Sequence, residues 1–152
     1  MVDRELPRVR AEPASELSAG FDDSWDERSA LMCVLRASGV GYWRYYYTRD
    51  LLECSDGMKV IFGLGPEDEL TSFDHVKARV HPDDRSLLED ALERALSDSA
   101  DTALEHRIVS PSGELRWVMA RGRVCRRGGE PLMAGILFDI TQQKRGEAER
   151  ER

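Results

Sequence analysis

Three consecutive runs near the end of the chain read as strands: TALEHRIVS and ELRWVMARGRV, whose side chains sort onto two unlike faces with a period of two, and PLMAGILFDI, apolar on both faces. That period is the mark of a half-buried strand. Turn residues separate the runs, Pro111-Ser112-Gly113 after the first and Arg127-Gly128-Gly129 after the second. The pattern predicts an antiparallel meander that ends at Asp139-Ile140-Thr141 and feeds a charged segment of helical composition, TQQKRGEAERER. Two more strands are predicted earlier, GYWRYYYT and LLECS, around the turn Thr48-Arg49-Asp50.

Between the two groups of strands the period lengthens toward that of a helix. Ser55 can cap a short helix, DGMKVIF, that stops at Gly63, and TSFDHVKARV offers another one or two turns. Pro82-Asp83-Asp84 opens the best-defined helix, with Leu87, Leu88, Ala91, Leu92, Ala95 and Leu96 on one stripe. Ahead of all this, Ser24-Trp25-Asp26-Glu27 has the form of a capping box, and Trp25, Leu31, Met32, Val34 and Leu35 follow as an amphipathic helix ending at Ser38-Gly39. Strands grouped around a block of helices imply an α+β domain with an antiparallel sheet. The expected organisation is a disordered tail over 1–22, a flanking helix over 23–39, the domain over 40–141 and an exit helix beginning over 142–152.

The sheet pattern raises a second expectation. On the fourth strand Val118, Ala120, Gly122 and Val124 share one face; Leu115, Trp117 and Met119 begin the other, which turns to Arg121 and Arg123. On the last strand both faces are apolar, so something must cover the outer face as well. A homodimer using that face and the flanking helix is expected, through Trp25, Met32, Leu35, Trp117, Met119 and Leu137.

The 152 residues suffice for one domain with a real core. A formal charge of −7, from 22 basic and 29 acidic residues, argues against nucleic acid or an anionic membrane as partner. The basic run Arg121, Arg123, Arg126 and Arg127 reads as a solvated strand end and turn. No run is apolar enough for a membrane span, and no secretory signal opens the chain. Cys33, Cys54 and Cys125 read as reduced thiols of a cytoplasmic protein. No metal-ligand spacing, nucleophile motif, phosphate loop or carboxylate pair is present, so no enzyme activity is expected of these residues.

Four segments in order resemble a PAS domain with its PAC segment: GYWRYYYTRDLLECSDGMKVIFGL, HVKARVHPDDR, EHRIVSPSGELRWV and GILFDITQQK. The likeness covers roughly Val40 to Arg145. It implies a five-stranded antiparallel sheet with short helices over one face, often with a small-molecule pocket between them. It also implies signalling through the C-terminal helix to an output domain or partner kinase, such as that of a sensor histidine kinase. On that fold the expected pocket lining is Ile61, Phe62, Phe73, Val76, Leu88, Leu92, Ile108, Val118, Ala120 and Ile136, for a small apolar or aromatic ligand. Asp139, Ile140 and Thr141 are the expected transmission element, with Thr141 capping the exit helix and Arg107 or Arg116 pairing with Asp139. A ligand-free dimerisation module is the alternative. A haem-binding gas or redox sensor, with His75 as iron ligand, is another. No cofactor is demanded by the sequence. Flavin is not expected, since Cys54 falls at a strand end where many relatives carry an aromatic and the flavin-binding motif of the light-sensing branch is missing. His81 is read as structural, and His106 as a hydrogen-bonded core or pocket-rim histidine.

Overall fold

A computed structural model describes residues 26–151. Ser24, Trp25 and the tail expected at 1–22 lie outside the described residues. The chain divides between Val34 and Leu35, and helix α1, Glu27–Ala37, is described by itself. Its cap is Asp26, whose Oδ1 accepts the Ser29 N–H at 2.7 Å. Leu31 and Val34 are exposed, while Met32 and Leu35 are half-buried.

The remainder carries five strands: β1 Gly41–Tyr46, β2 Leu51–Cys54, β3 Thr102–Val109, β4 Leu115–Arg127 and β5 Glu130–Asp139. They form one antiparallel sheet in the order β2-β1-β5-β4-β3. The last strand therefore lies in the middle, joining the early hairpin to the closing meander. Gly128 and Gly129, with φ of 55° and 86°, make the two-residue turn between β4 and β5, as type I′ hairpins require. That turn pairs Arg127 with Glu130, and the register then runs on to Ala120 opposite Leu137 and Val118 opposite Asp139.

Helices α2 (Asp56–Ile61), α3 (Phe73–Arg79) and α4 (Arg85–Asp98) lie between β2 and β3 in the chain. Ser55 caps α2 by accepting the Met58 N–H at 3.2 Å, and Ser72 caps α3 by accepting that of His75 at 3.1 Å. Pro82–Asp84 form a single 3₁₀ turn ahead of α4. Ala95 is fully buried and Leu88, Ala91, Leu92 and Leu96 are half-buried, but Leu87 is 47% exposed and leaves the predicted stripe. Phe62, Leu70, Val80, Ile108, Val118 and Leu137 form the dry centre of the core.

Two polar ties hold the helical block to the sheet. Buried Asp84 accepts the Arg107 backbone N–H at 2.8 Å and two guanidinium N–H groups at 3.0 and 2.7 Å. The guanidinium holds the Asp84 carboxyl below the usual carboxylate range. At the other end Arg116 donates to the Val60 and Ile61 carbonyls at 3.0 and 2.7 Å, satisfying the open C-terminus of α2. The expected pairing of either arginine with Asp139 is thus corrected, because Arg107 is engaged by Asp84 and Arg116 by the end of α2, while Asp139 accepts from Thr141.

Candidate functional site

Cross-strand register sorts the sheet residues into two faces. Facing the helices are Trp43 and Tyr45 on β1, Leu52 on β2, Thr102, Leu104 and His106 on β3, Ala120 on β4, and Met133 and Leu137 on β5. Met58, Phe62, Phe73, Val76, Leu88, Ala91 and Leu92 approach them from the helical block and leave a cavity of about 100 Å³. Behind its Trp43 wall stand Gly122 and Gly135, paired across β4 and β5. The Trp43 indole fills the space where their Cβ atoms would stand, lying 2.7 Å from the Gly122 position and 2.6 Å from that of Gly135.

Of the ten expected lining residues, Phe62, Phe73, Val76, Leu88, Leu92 and Ala120 meet at this cavity. Ile61, Ile108 and Val118 are buried in the core and do not line it. Ile136 and Leu137 exchange their expected places. Leu137 is 2% exposed and lines the cavity, while Ile136 pairs with Tyr42 and Arg121 on the outer face. Both faces of β5 are apolar, so alternation alone does not choose between them.

The wall has few polar atoms. The Tyr45 hydroxyl donates to Asp50 at 2.8 Å, and burial raises its pKa. Thr102 donates to the Gly122 carbonyl at 3.4 Å. His106 is 2% exposed, and its Nδ1 has no hydrogen-bond partner among the described residues. The ring stands buried at the cavity wall with this one nitrogen unpaired. Burial depresses its pKa, against smaller opposing pulls from the Leu104 carbonyl and the Asp84 carboxylate.

The other histidines stand elsewhere. His75 Nδ1 accepts the Thr71 N–H at 3.1 Å, its Nε2 lies 4.0 Å from Glu69, and it does not line the cavity. His81 caps the 3₁₀ turn by accepting the Asp83 N–H at 3.1 Å. Cys54 places its Sγ 3.6 Å from the Leu70 carbonyl, and Cys33 and Cys125 are exposed.

Beyond the cavity, β5 ends in a clamp. Thr141 Oγ1 accepts the Trp117 N–H of β4 at 3.0 Å and donates to Asp139 Oδ1 at 2.6 Å, while Asp139 also accepts the Thr141 N–H at 2.9 Å. The Ile140 N–H donates to the Trp117 carbonyl at 2.8 Å. Helix α5, Thr141–Arg150, starts at this point, and Ile140, not Thr141, is its cap residue. The threonine hydroxyl is drawn into the sheet because the β4–β5 ladder ends at Val118 and Asp139, leaving the Trp117 N–H to find its acceptor beyond the strand. One turn on, Lys144 pairs with Glu105 of β3 and stands 5.1 Å from the Trp117 ring centre.

A family model described as PAS fold matches residues 51–137. The blue-light-activated histidine kinase of Brucella anthropi is 31% identical over 120 residues, which are 79% of this chain and 24% of the kinase. The chain thus spans about a quarter of the curated kinases it matches. A sensory box histidine kinase/response regulator structure from Burkholderia thailandensis superposes with a TM-score of 0.67 at 26% identity, covering 80% of this chain and 92% of that one. The N-terminal domain of a diguanylate cyclase with PAS/PAC sensor from Marinobacter aquaeolei gives 0.62 at 19% identity, covering 69% and 98%. Among the described residues no helix is long and apolar enough to cross a membrane.

Proposed function

The chain belongs to the PAS-fold family, and from that premise we propose that it is a sensory module in which a compact molecule in the cavity moves β5 and thereby re-aims α5. The observation that carries the reading is a spacing along one strand. Leu137 lines the cavity, and two residues later Asp139 begins the clamp that seats α5 through Thr141. A ligand pressing on Leu137 acts on the strand that holds the clamp, and its effect is a shift between two arrangements of that junction. The output is a kinase or similar domain following α5, in a cytoplasmic setting; the kinases matched above support this part of the proposal. The role is sensory, not catalytic.

The names of the blue-light relatives raise flavin, and the family resemblance raises haem. Neither suits this cavity. Sites for drug-sized ligands occupy roughly 300–1,000 Å³, against about 100 Å³ here. A flavin ring also needs several polar partners, and this wall offers an unpaired imidazole. His75, turned to Thr71 and Glu69, supplies no iron ligand to the cavity.

Thr141→Val tests the coupling. It keeps the side chain's shape and removes the hydroxyl's hydrogen bonds to Asp139 and to both backbone groups of Trp117. Amide protons of α5 are expected to exchange about fivefold faster, the effect of losing one net hydrogen bond, while those of β3 and β4 hold their protection. Unchanged exchange along α5 sinks the proposed junction.

A further inference from the structure

We infer that His106 is the polar anchor of the cavity and selects a ligand of one small ring, or equal bulk, bearing a single hydrogen-bonding group; phenols are the simplest such class. The inference rests on the cavity being the ligand site.

His106 sits on β3 between Leu104 and Ile108 and opposite Val118, on the face that lines the cavity. It is 2% exposed, and its Nδ1 is buried without a partner among the described residues. A buried polar atom left unpaired is destabilising, and native proteins rarely keep one without a use. Water is a poor use here. A buried water needs two to four polar partners, and with the Tyr45 and Thr102 protons donated to Asp50 and Gly122 the wall leaves, besides the imidazole, only those two hydroxyl oxygens and the Trp43 indole N–H, spread over different strands. Apart from the Trp43 indole N–H, every other lining side chain is hydrocarbon, aromatic or thioether. A ligand that brings its own apolar body and one polar group satisfies both halves of this wall. At about 100 Å³ the space admits one ring and excludes fused systems. Burial keeps the imidazole neutral, so it presents one donor and one acceptor, not a charge.

The test compares phenol with toluene, which has similar bulk and no hydrogen-bonding group. Both are titrated into the full 152-residue chain, followed by amide chemical shifts and by the ring nitrogen shifts of ¹⁵N-labelled histidine. Phenol is expected to bind about tenfold more tightly than toluene, as one buried hydrogen bond implies, and to move the His106 ring nitrogens where toluene does not. In His106→Leu the two ligands are expected to bind alike. Equal binding in the unsubstituted protein overturns the anchor and leaves the cavity standing as a ligand site. Failure of both to bind overturns the cavity reading and the anchor with it. If His106→Leu does not fold, the ring nitrogen shifts decide. A pattern that is already hydrogen-bonded before any ligand is added, and unmoved by phenol, refutes the inference.

Discussion

Asp84 shows how much one side chain can hold. It carries an acidic charge at a position 5% exposed, and all three of its hydrogen bonds go to Arg107 on β3. The arginine depresses the folded-state pKa of Asp84, so the stabilisation is present above the unfolded carboxylate value, about 4, and fades as pH falls through and below it. Asp84→Asn is expected to destabilise the domain by about 2 kcal/mol at neutral pH. Urea midpoints measured at neutral pH and near pH 3 should show that gap narrowing in acid, as the native aspartate loses its own advantage. A gap of constant size across that range means that Arg107 is not what holds the corner. Residue types near Asp84 already pointed to this arrangement, since proline followed by two acids suits a helix start. The identity of the partner was not legible, because pairing with Arg107 depends on where β3 passes.

At the level of elements, the strands and their grouping were readable from alternation and from glycine turns, and the helices from Ser55, Pro82 and the leucine spacing. The inward face of β5 was also readable, from the turn and not from the strand itself. Gly128-Gly129 as a two-residue turn sets Arg127 opposite Glu130, and counting back puts Leu137 opposite Ala120. With Ala120 facing the helices, Leu137 must too. Trp43 was harder to find, because its place is made by two distant glycines. A Cβ on Gly135 would run into the Arg121 carbonyl and the Trp43 ring, whereas one on Gly122 meets the tip of Trp43 and Met133 Cε at 3.3 Å. Gly135→Ala is therefore expected to destabilise by about 2–3 kcal/mol and Gly122→Ala by about 1 kcal/mol. Thermal unfolding of the two variants checks the order, and equal losses argue against backbone contact as the cause.

For the whole molecule, β5 is the element on which both faces converge. Leu137 meets the cavity, Phe138 points the other way beside its cross-strand partner Met119, and Asp139 follows at once. Around Phe138 and Met119 the outer face carries Ile136, Ala134 and Tyr42, all half-buried, while Trp117 is screened by Arg107 and Lys144. An apolar strip of this kind is suited to a partner surface, and the proposed partner is a second copy of the chain. On the proposed reading β5 presents its inner face to the ligand and its outer face to the second copy, immediately before the junction with α5. Sedimentation at tens of micromolar is expected to give a dimer for the native chain. Phe138→Glu should give a monomer, because the carboxylate would have to leave water against Met119 and the apolar strip of the second copy. Since residue 138 faces away from the cavity, the same variant should still bind phenol with native affinity. A native chain that sediments as a monomer removes the second copy from the mechanism. A Phe138→Glu variant that also loses phenol shows that the two faces of β5 are not independent.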